Sequence, residues 1–282
     1  MNLIKKIILG SNVKILPLAL GITFFGIILS NNYNNFALLL SGLFTIAFVY
    51  LFNTFCDIEE DKFNKVAYTI SSPFERFILK IVLVLYLILS LFFSLISSII
   101  SFAFILLIVL LGFFYSFKIK GFRFKNILLV KNIVTSLGWS LLIFVGSMQL
   151  NISTFFSALL IFIILFTASS LADIEDMKGD LKVGIITLPA ILGIRRFSYL
   201  ILLIQCSGIL LILLSILYNF PSYLIFIALV YCVYAVGTLY GFRHCLKRKE
   251  INVKCWRKTT IVLILIADLI ILAMDFFVFF NL

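Results

Sequence analysis

The stretch Asp173-Ile-Glu-Asp-Met-Lys-Gly-Asp180 places four acidic residues within eight positions of an otherwise apolar sequence. The segment Leu-Lys-Val-Gly-Ile-Ile-Thr-Leu-Pro189 follows it directly. A related cluster, Asn53-Thr-Phe-Cys-Asp57-Ile-Glu-Glu-Asp61, lies in the first half of the chain. Together the two clusters contain eight of the twelve acidic residues. We interpret the remaining sequence, rich in Leu, Ile, Phe and Val, as a scaffold that brings the two clusters face to face.

The composition predicts a polytopic membrane protein. Of the 282 residues, 63% are hydrophobic and only 12% are charged, far from the composition of soluble domains. The net charge of +11 does not indicate nucleic-acid binding, because Lys and Arg lie in short loops between apolar segments, as cytoplasmic anchors do. Five cysteines without paired spacing predict neither a disulfide framework nor a zinc site. We therefore expect an integral membrane protein that contacts membrane lipids and no nucleic acid.

Nine apolar segments are long enough to cross a bilayer core of about 30 Å, which takes about 20 residues. The predicted fold class is an all-α membrane protein, a bundle of nine transmembrane helices. No linker divides the chain, so we expect a single domain over residues 1–282. The predicted spans are residues 13–30, 35–55, 77–95, 98–117, 127–148, 153–172, 197–218, 221–241 and 259–280.

Charge alternates between the two sides of these spans. The connections at residues 31–35, 95–98, 149–153 and 218–222 carry no charge, whereas the N-terminus and the other connections carry nearly every Lys and Arg. Short loops rich in Lys and Arg stay in the cytoplasm. We therefore predict a cytoplasmic N-terminus, an active site on the cytoplasmic side, a C-terminus outside and location in the plasma membrane.

Each acidic cluster is spaced so that its polar side chains share one helix face. The spacing is i, i+4, i+8 in the first cluster and i, i+3, i+7 in the second, at Asn53, Asp57, Asp61 and at Asp173, Asp176, Asp180. Like charges so placed near hydrocarbon need a cation to offset repulsion and desolvation. Two facing carboxylate pairs suit two Mg²⁺ ions that clamp a diphosphate and neutralise the departing pyrophosphate. The alternative is a solvated acidic surface with local pairs such as Asp61 with Lys65.

These clusters resemble the signatures of the UbiA-type intramembrane prenyltransferases. Asn53-xxx-Asp57-xxx-Asp61 followed by Lys62-Phe-Asn64-Lys65 is similar to the first motif of that family, and residues 173–189 are similar to its second. Tyr115-Ser-Phe-Lys-Ile-Lys120, leading to Leu137-Gly138-Trp139, resembles the family's stretch around helices 4 and 5. One departure follows the first motif, where the family often has Asn-Lys-Pro-x-Arg-Pro. Here the sequence is Asn64-Lys65-Val-Ala-Tyr68-Thr-Ile, without the Arg or either Pro.

The resemblance covers most of the chain and implies Mg²⁺-dependent transfer of a polyprenyl group from an allylic prenyl diphosphate to a hydrophobic acceptor, with release of pyrophosphate. The acceptor would be the aromatic head group of a quinone or geranylgeranylglyceryl phosphate. The form Asp-Ile-Glu-Asp-x-x-Gly-Asp is similar to the second motif of the digeranylgeranylglyceryl phosphate synthase branch. The implied metal ligands and catalytic residues are Asp57, Asp61, Asp176 and Asp180.

Further side chains are expected to bind the diphosphate or to support the metal ligands, because a diphosphate carries more negative charge than the metals neutralise. These candidates are Asn53, Asp173, Lys65, Tyr115, Lys118, Lys120, Arg123 and Lys131, with Lys120 preferred and Lys131 next among the cations. Each cation has the alternative interpretation of a cytoplasmic anchor. Asp268 and Asp275 share a face of the ninth predicted span, where they line an acceptor site or proton path or are structural.

Two other functions stay open. An ion-coupled transporter would bind its ion at the acidic clusters, but the acids gather on one side instead of at the midplane, and the sequence shows no evident helix broken by Gly or Pro. The departure after the first motif leaves a second alternative, a family member that binds isoprenoid lipid without turnover.

Overall fold

The computed structural model describes residues 3–58, 72–118, 122–182 and 186–217, together with Tyr231, Ala235, Gly237 and Thr238. Within these ranges only the backbone is described at residues 175–176, 178–182 and 215–217. Short 3-10 helices lie at Val13–Ile15 and Phe124–Asn126. The α-helices are α1 (Leu3–Gly10), α2 (Leu16–Ser30), α3 (Phe36–Cys56), α4 (Pro73–Ser97), α5 (Ile99–Ser116), α6 (Val130–Ser140), α7 (Leu142–Ser147), α8 (Ile152–Lys182) and α9 (Leu188–Leu217).

Seven helical stretches in the described part of the chain are long and apolar enough to cross a membrane. They are Val13–Ser30, Phe36–Cys56, Pro73–Ser97, Ile99–Ser116, Val130–Ser147, Ile152–Ile174 and Leu188–Leu214. These stretches confirm the first seven predicted spans as helices. The predicted spans 221–241 and 259–280 lie outside the described residues, apart from four isolated helical positions. The number of nine spans and the sides of the two termini therefore stay predictions.

Two helices extend into the region that the sequence analysis assigned to a loop. Helix α8 continues to Lys182, ten residues past the predicted end of its span at residue 172. Helix α9 begins at Leu188, nine residues before the predicted start at 197. Hydropathy marks where a helix leaves the bilayer, whereas the helix itself needs only its backbone hydrogen bonds. The second acidic cluster therefore lies on the α8 helix.

One predicted span is interrupted, and a second helix is broken at a Gly that lies before its predicted span, so the expectation that no helix is broken by Gly was wrong. The span predicted at 127–148 consists of α6 and α7, which are separated at Leu141. Helix α9 contains Gly193 at φ 71° and ψ 155°, a backbone conformation that a residue with a Cβ atom rarely adopts. The main chain thus changes direction shortly after the second acidic cluster.

The described residues divide into two compact units, and the first comprises residues 1–125 and 141–150. In this unit α3 packs against α2, α4 and α5, and α2 packs against α7. The α2–α7 crossing depends on small residues, because a Cβ atom at Gly26 would lie 2.9 Å from the Cα atom of Gly146. The apolar core between α3 and α4 consists of Phe48, Leu51, Ile58, Leu79 and Leu83.

Helix α1 is attached to the ends of α3 and α4 that lie nearest the first acidic cluster. Thr54 Oγ1 donates a hydrogen bond to the carbonyl oxygen of Gly10 at 3.1 Å. Lys6 Nζ lies 2.7 Å from Glu75 Oε1, in an ion pair whose two side chains are largely buried. Glu75 also forms a capping box with Ser72, which fixes the first residue of α4. These contacts hold α1 beside the end of α3 that carries Asp57.

The second unit comprises residues 126–140 and 151–282. Within it α8 packs against α6 and α9. Leu171, Leu188, Phe197 and Ile201 form its buried apolar cluster. The division into units does not test the prediction of a single domain over residues 1–282, which stays a prediction.

Candidate active site

The first acidic cluster begins in the last turn of α3. This helix ends at Cys56, and the backbone N–H of Asp57 donates to the carbonyl oxygen of Asn53 at 2.9 Å. Asn53 and Asp57 are therefore one helical turn apart, in agreement with the predicted spacing. Asp61 and Lys65 lie outside the described residues.

Asp57 is buried, with 4% of its surface exposed, and each carboxylate oxygen contacts a cation. Arg123 Nη1 lies 2.8 Å from Oδ1, and Lys125 Nζ lies 2.5 Å from Oδ2. Arg123 is itself 3% exposed, so this ion pair is removed from water. A buried carboxylate needs such partners because an unpaired charge in an apolar surrounding is strongly disfavoured. Sequence reasoning expected a cation here, but it named Arg123 as a diphosphate ligand and did not select Lys125.

Asn53 connects the first cluster to the end of α5. Its Oδ1 atom accepts a hydrogen bond from Ser116 Oγ at 3.1 Å. Tyr115 precedes Ser116 and is half-buried, and Lys118 follows α5 at an exposed position. Lys120, the preferred diphosphate contact, lies outside the described residues. The end of α5 thus lies beside the first cluster in the same unit.

The second acidic cluster lies entirely on α8. The continuous helix backbone places Asp173, Asp176 and Asp180 on one face, as their spacing predicts. The Asp173 side chain is described, whereas only the backbone is described at Asp176 and Asp180.

Asp173 is also buried, and its two oxygens have different partners. Lys131 Nζ lies 2.8 Å from Oδ1, and Asn132 Nδ2 donates to Oδ2 at 3.0 Å. Asn132 Nδ2 also donates to Ser170 Oγ at 2.8 Å, one turn before Asp173 on α8. Sequence reasoning named Lys131 but missed Asn132 and Ser170. The only feature of the sequence that could have indicated a role for Asn132 is its polar amide within an apolar predicted span.

Metal ligation is only partly visible in the described residues. Among them there is no group of three or more His, Cys, Asp or Glu side chains that could hold a metal ion. Three of the four proposed ligands, Asp61, Asp176 and Asp180, have no described side chain. Asp268 and Asp275 likewise lie outside the described residues. The metal set of the sequence analysis is therefore untested.

The sequence profile of the UbiA prenyltransferase family matches residues 14–266. The chain belongs to this family. The match includes both acidic clusters, the connection that carries Arg123 and Lys125, and the start of α6 with Lys131, so it confirms the resemblance. Comparison with curated proteins finds no significant match.

Solved structures share the UbiA fold over nearly the full length of the chain. One comes from work on digeranylgeranylglyceryl phosphate synthase in membranes, with a TM-score of 0.70 and 21% identity over 96% of this chain and 98% of that chain. A UbiA homolog from Archaeoglobus fulgidus, bound to DMAPP and Mg²⁺, has a TM-score of 0.67 and 17% identity over 95% and 99%. The apo UbiA homolog from Aeropyrum pernix K1 has a TM-score of 0.72 and 11% identity over 93% and 98%. At these identities the similarity shows the fold alone.

Proposed function

We propose that this UbiA-family protein transfers a polyprenyl group from an allylic prenyl diphosphate to a hydrophobic acceptor within the membrane. The observation that carries the proposal is the buried Asp57 with Arg123 and Lys125 on its two oxygens, at the first family motif. This arrangement combines a hard carboxylate ligand with cations suited to phosphate oxygens. UbiA homologs from Archaeoglobus fulgidus bound to DMAPP or GPP with Mg²⁺ support the same chemistry.

The donor type of each acidic motif fits Mg²⁺. Each motif supplies a buried carboxylate, Asp57 in the first and Asp173 in the second, and Mg²⁺ prefers carboxylate, water and phosphate oxygens. We propose Asp57, Asp61, Asp176 and Asp180 as its ligands. When bound, the metal would neutralise the charge that develops on the departing pyrophosphate.

The described side chains suggest a division of roles in the reaction. Arg123 and Lys125 would bind phosphate oxygens and stabilise the negative charge that develops on the leaving pyrophosphate as the carbon–oxygen bond breaks. Ser116 holds the Asn53 side chain, and Asn132 holds Asp173, so neighbouring polar groups orient both motifs. The electron pair of the broken bond leaves with pyrophosphate, and the acceptor then bonds to the allylic carbon and releases a proton. The apolar spans would exclude water, which otherwise captures the allylic cation.

Other proposed diphosphate contacts are Lys65 after the first motif, Tyr115 at the end of α5, and Lys118 and Lys120 after α5. Lys131 pairs with Asp173, and we propose it also as a phosphate ligand because its side chain is 20% exposed beside the second motif. The pattern of Lys and Arg supports a site on the cytoplasmic side of the membrane, which we propose to be the plasma membrane.

Geranylgeranylglyceryl phosphate is the first acceptor to test, and an aromatic quinone head group is the second. The form of the second motif favours the former. A lipid acceptor also suits a chain with seven described stretches able to cross a membrane.

Pyrophosphate release from purified protein in detergent tests the proposal. Geranylgeranyl diphosphate is supplied with each acceptor, with and without Mg²⁺. We expect release that requires Mg²⁺ and an acceptor and that is lost in Asp57→Ala and Asp180→Ala. Absence of release across the panel, with prenyl lipid still bound, would instead support a family member that binds without turnover.

A further inference from the structure

The carboxylate of Asp57 is occupied by side chains of the protein itself. Arg123 lies on one oxygen and Lys125 on the other, at 2.8 Å and 2.5 Å. A divalent cation on this carboxylate would sit within a few ångströms of two positive charges, and such repulsion is strong where water is excluded. Metal binding at Asp57 therefore requires at least one of the two side chains to leave.

A cation that leaves Asp57 loses a buried partner. Arg123 is 3% exposed, and removing one member of a buried ion pair is strongly unfavourable. A phosphate oxygen placed beside the same cation would compensate for this loss in the same event. Lys125 is better able to move, because its side chain is 20% exposed and carries its charge on a flexible stem.

We propose that the diphosphate of the prenyl substrate is this compensating anion, and that Arg123 and Lys125 pass from Asp57 to the diphosphate when the metal binds Asp57. The inference rests on the proposed function and adds that the two cations exchange one anionic partner for another when the substrate binds. Guanidinium and ammonium groups form charge-assisted hydrogen bonds with both carboxylate and phosphate oxygens, so the exchange replaces one such bond by another. Asp57 then has two successive partners, the cations before binding and the metal afterwards.

The exchange makes metal and diphosphate promote each other's binding by the same factor. A metal that simply bridges Asp57 and a diphosphate would also do this, so each ligand has to be studied alone. Without metal, Asp57 competes with the diphosphate for Arg123 and Lys125. Without diphosphate, Arg123 and Lys125 compete with the metal for Asp57. Removing either competitor is therefore expected to strengthen binding of the other ligand.

The first experiment measures binding of inorganic pyrophosphate to the purified full-length protein in detergent with EDTA. Asp57→Asn is expected to bind metal-free pyrophosphate about tenfold more tightly than wild type, a typical coupling between interacting sites. The matched control is Glu75→Gln, which removes the carboxylate of the Lys6–Glu75 ion pair in the same unit and is expected to bind as wild type. Unchanged or weaker binding by Asp57→Asn would overturn the inference, and so would an equal gain in the control.

The second experiment measures Mn²⁺ binding by electron paramagnetic resonance without pyrophosphate. Lys125→Gln and the double variant Arg123→Gln/Lys125→Gln are expected to bind Mn²⁺ more tightly than wild type, the double variant by about tenfold. The matched control, Lys6→Gln, is expected to bind as wild type. Unchanged or weaker Mn²⁺ binding by Lys125→Gln contradicts the exchange even if the double variant does not fold.

These binding measurements distinguish a failure of the exchange from a failure of the proposed function. If wild type transfers prenyl groups while the variants bind both ligands as wild type does, the exchange is wrong and the proposed function stands. If the variants bind as predicted but no prenyl diphosphate is ever consumed, the exchange stands and the proposed function is wrong.

Discussion

One added methyl group at Gly146 is expected to destabilise the first unit. Gly146 lies in α7, a helix of six residues that are all buried. A Cβ atom at this position would overlap the carbonyl oxygen of Thr23 and lie 3.0 Å from Gly26 Cα and Ile27 N. All three atoms belong to the backbone of α2, so no side chain can rotate away. Gly146→Ala therefore forces α2 and α7 apart along their crossing.

The size of the effect follows from two opposing terms. Overpacking typically costs about 1–3 kcal/mol, and contact with backbone alone places Gly146→Ala near about 3 kcal/mol. Replacing Gly by Ala inside a helix returns about 1 kcal/mol through helix propensity. The net loss is about 2 kcal/mol, or roughly 4–8 °C in Tm at about 2–4 °C per kcal/mol for chains of comparable size.

Thermal unfolding of the purified protein in detergent measures this loss. Gly138→Ala is the matched control, because a Cβ atom at Gly138 meets no other atom within 4 Å. The control keeps only the propensity gain of about 0.5–1 kcal/mol, so its Tm is expected to rise by about 1–4 °C. If Gly146→Ala unfolds at or above the wild-type temperature, or if both variants shift equally, the described α2–α7 crossing is wrong.

Three further results are expected. Lys131→Gln leaves the buried carboxylate of Asp173 without its cation, so chemical denaturation is expected to show a loss of about 2–3 kcal/mol in unfolding free energy. The loss is smaller than for a fully buried pair because the Lys131 side chain is 20% exposed, and adding Asp173→Asn should recover part of it. Glu75→Ala removes both the Glu75 side of the capping box with Ser72 and the ion pair with Lys6, and is expected to lower the unfolding free energy by about 1–2 kcal/mol. Glu75→Gln should lower it less, because Gln can still cap; equal losses by calorimetry would contradict the cap. Chelation of divalent cations should abolish pyrophosphate release and added Mg²⁺ restore it, whereas activity in EDTA would exclude the proposed metal role.

Apolar length predicted the spans well, because crossing a bilayer requires long apolar segments whatever surrounds them. The segment predicted at 35–55 corresponds closely to α3 at Phe36–Cys56. The same criterion failed for the end of α8, where the acidic residues 173–180 continue a helix that hydropathy ends at residue 172. It also missed α1, which is too short to span, and the interruption at Leu141, which no Gly or Pro marks.

The candidate site was predictable only along single helices. The spacing of Asn53 and Asp57 and that of Asp173, Asp176 and Asp180 follow from helical periodicity, and the backbone agrees with both. The cations on Asp57 were not predictable, since Arg123 and Lys125 are 66 and 68 residues away in sequence. Local rules give no information on which of many basic residues folds onto a given carboxylate.

Product analysis with an isotopically labelled prenyl diphosphate tests the central claim most directly. Purified protein, Mg²⁺ and geranylgeranylglyceryl phosphate are incubated, and the lipid extract is examined by mass spectrometry while pyrophosphate is quantified. Our account predicts prenylated acceptor and pyrophosphate in equal amounts, with neither formed by Asp57→Asn. Free prenol without prenylated acceptor across both acceptor classes, or ion flux into proteoliposomes with the prenyl diphosphate intact, would contradict it.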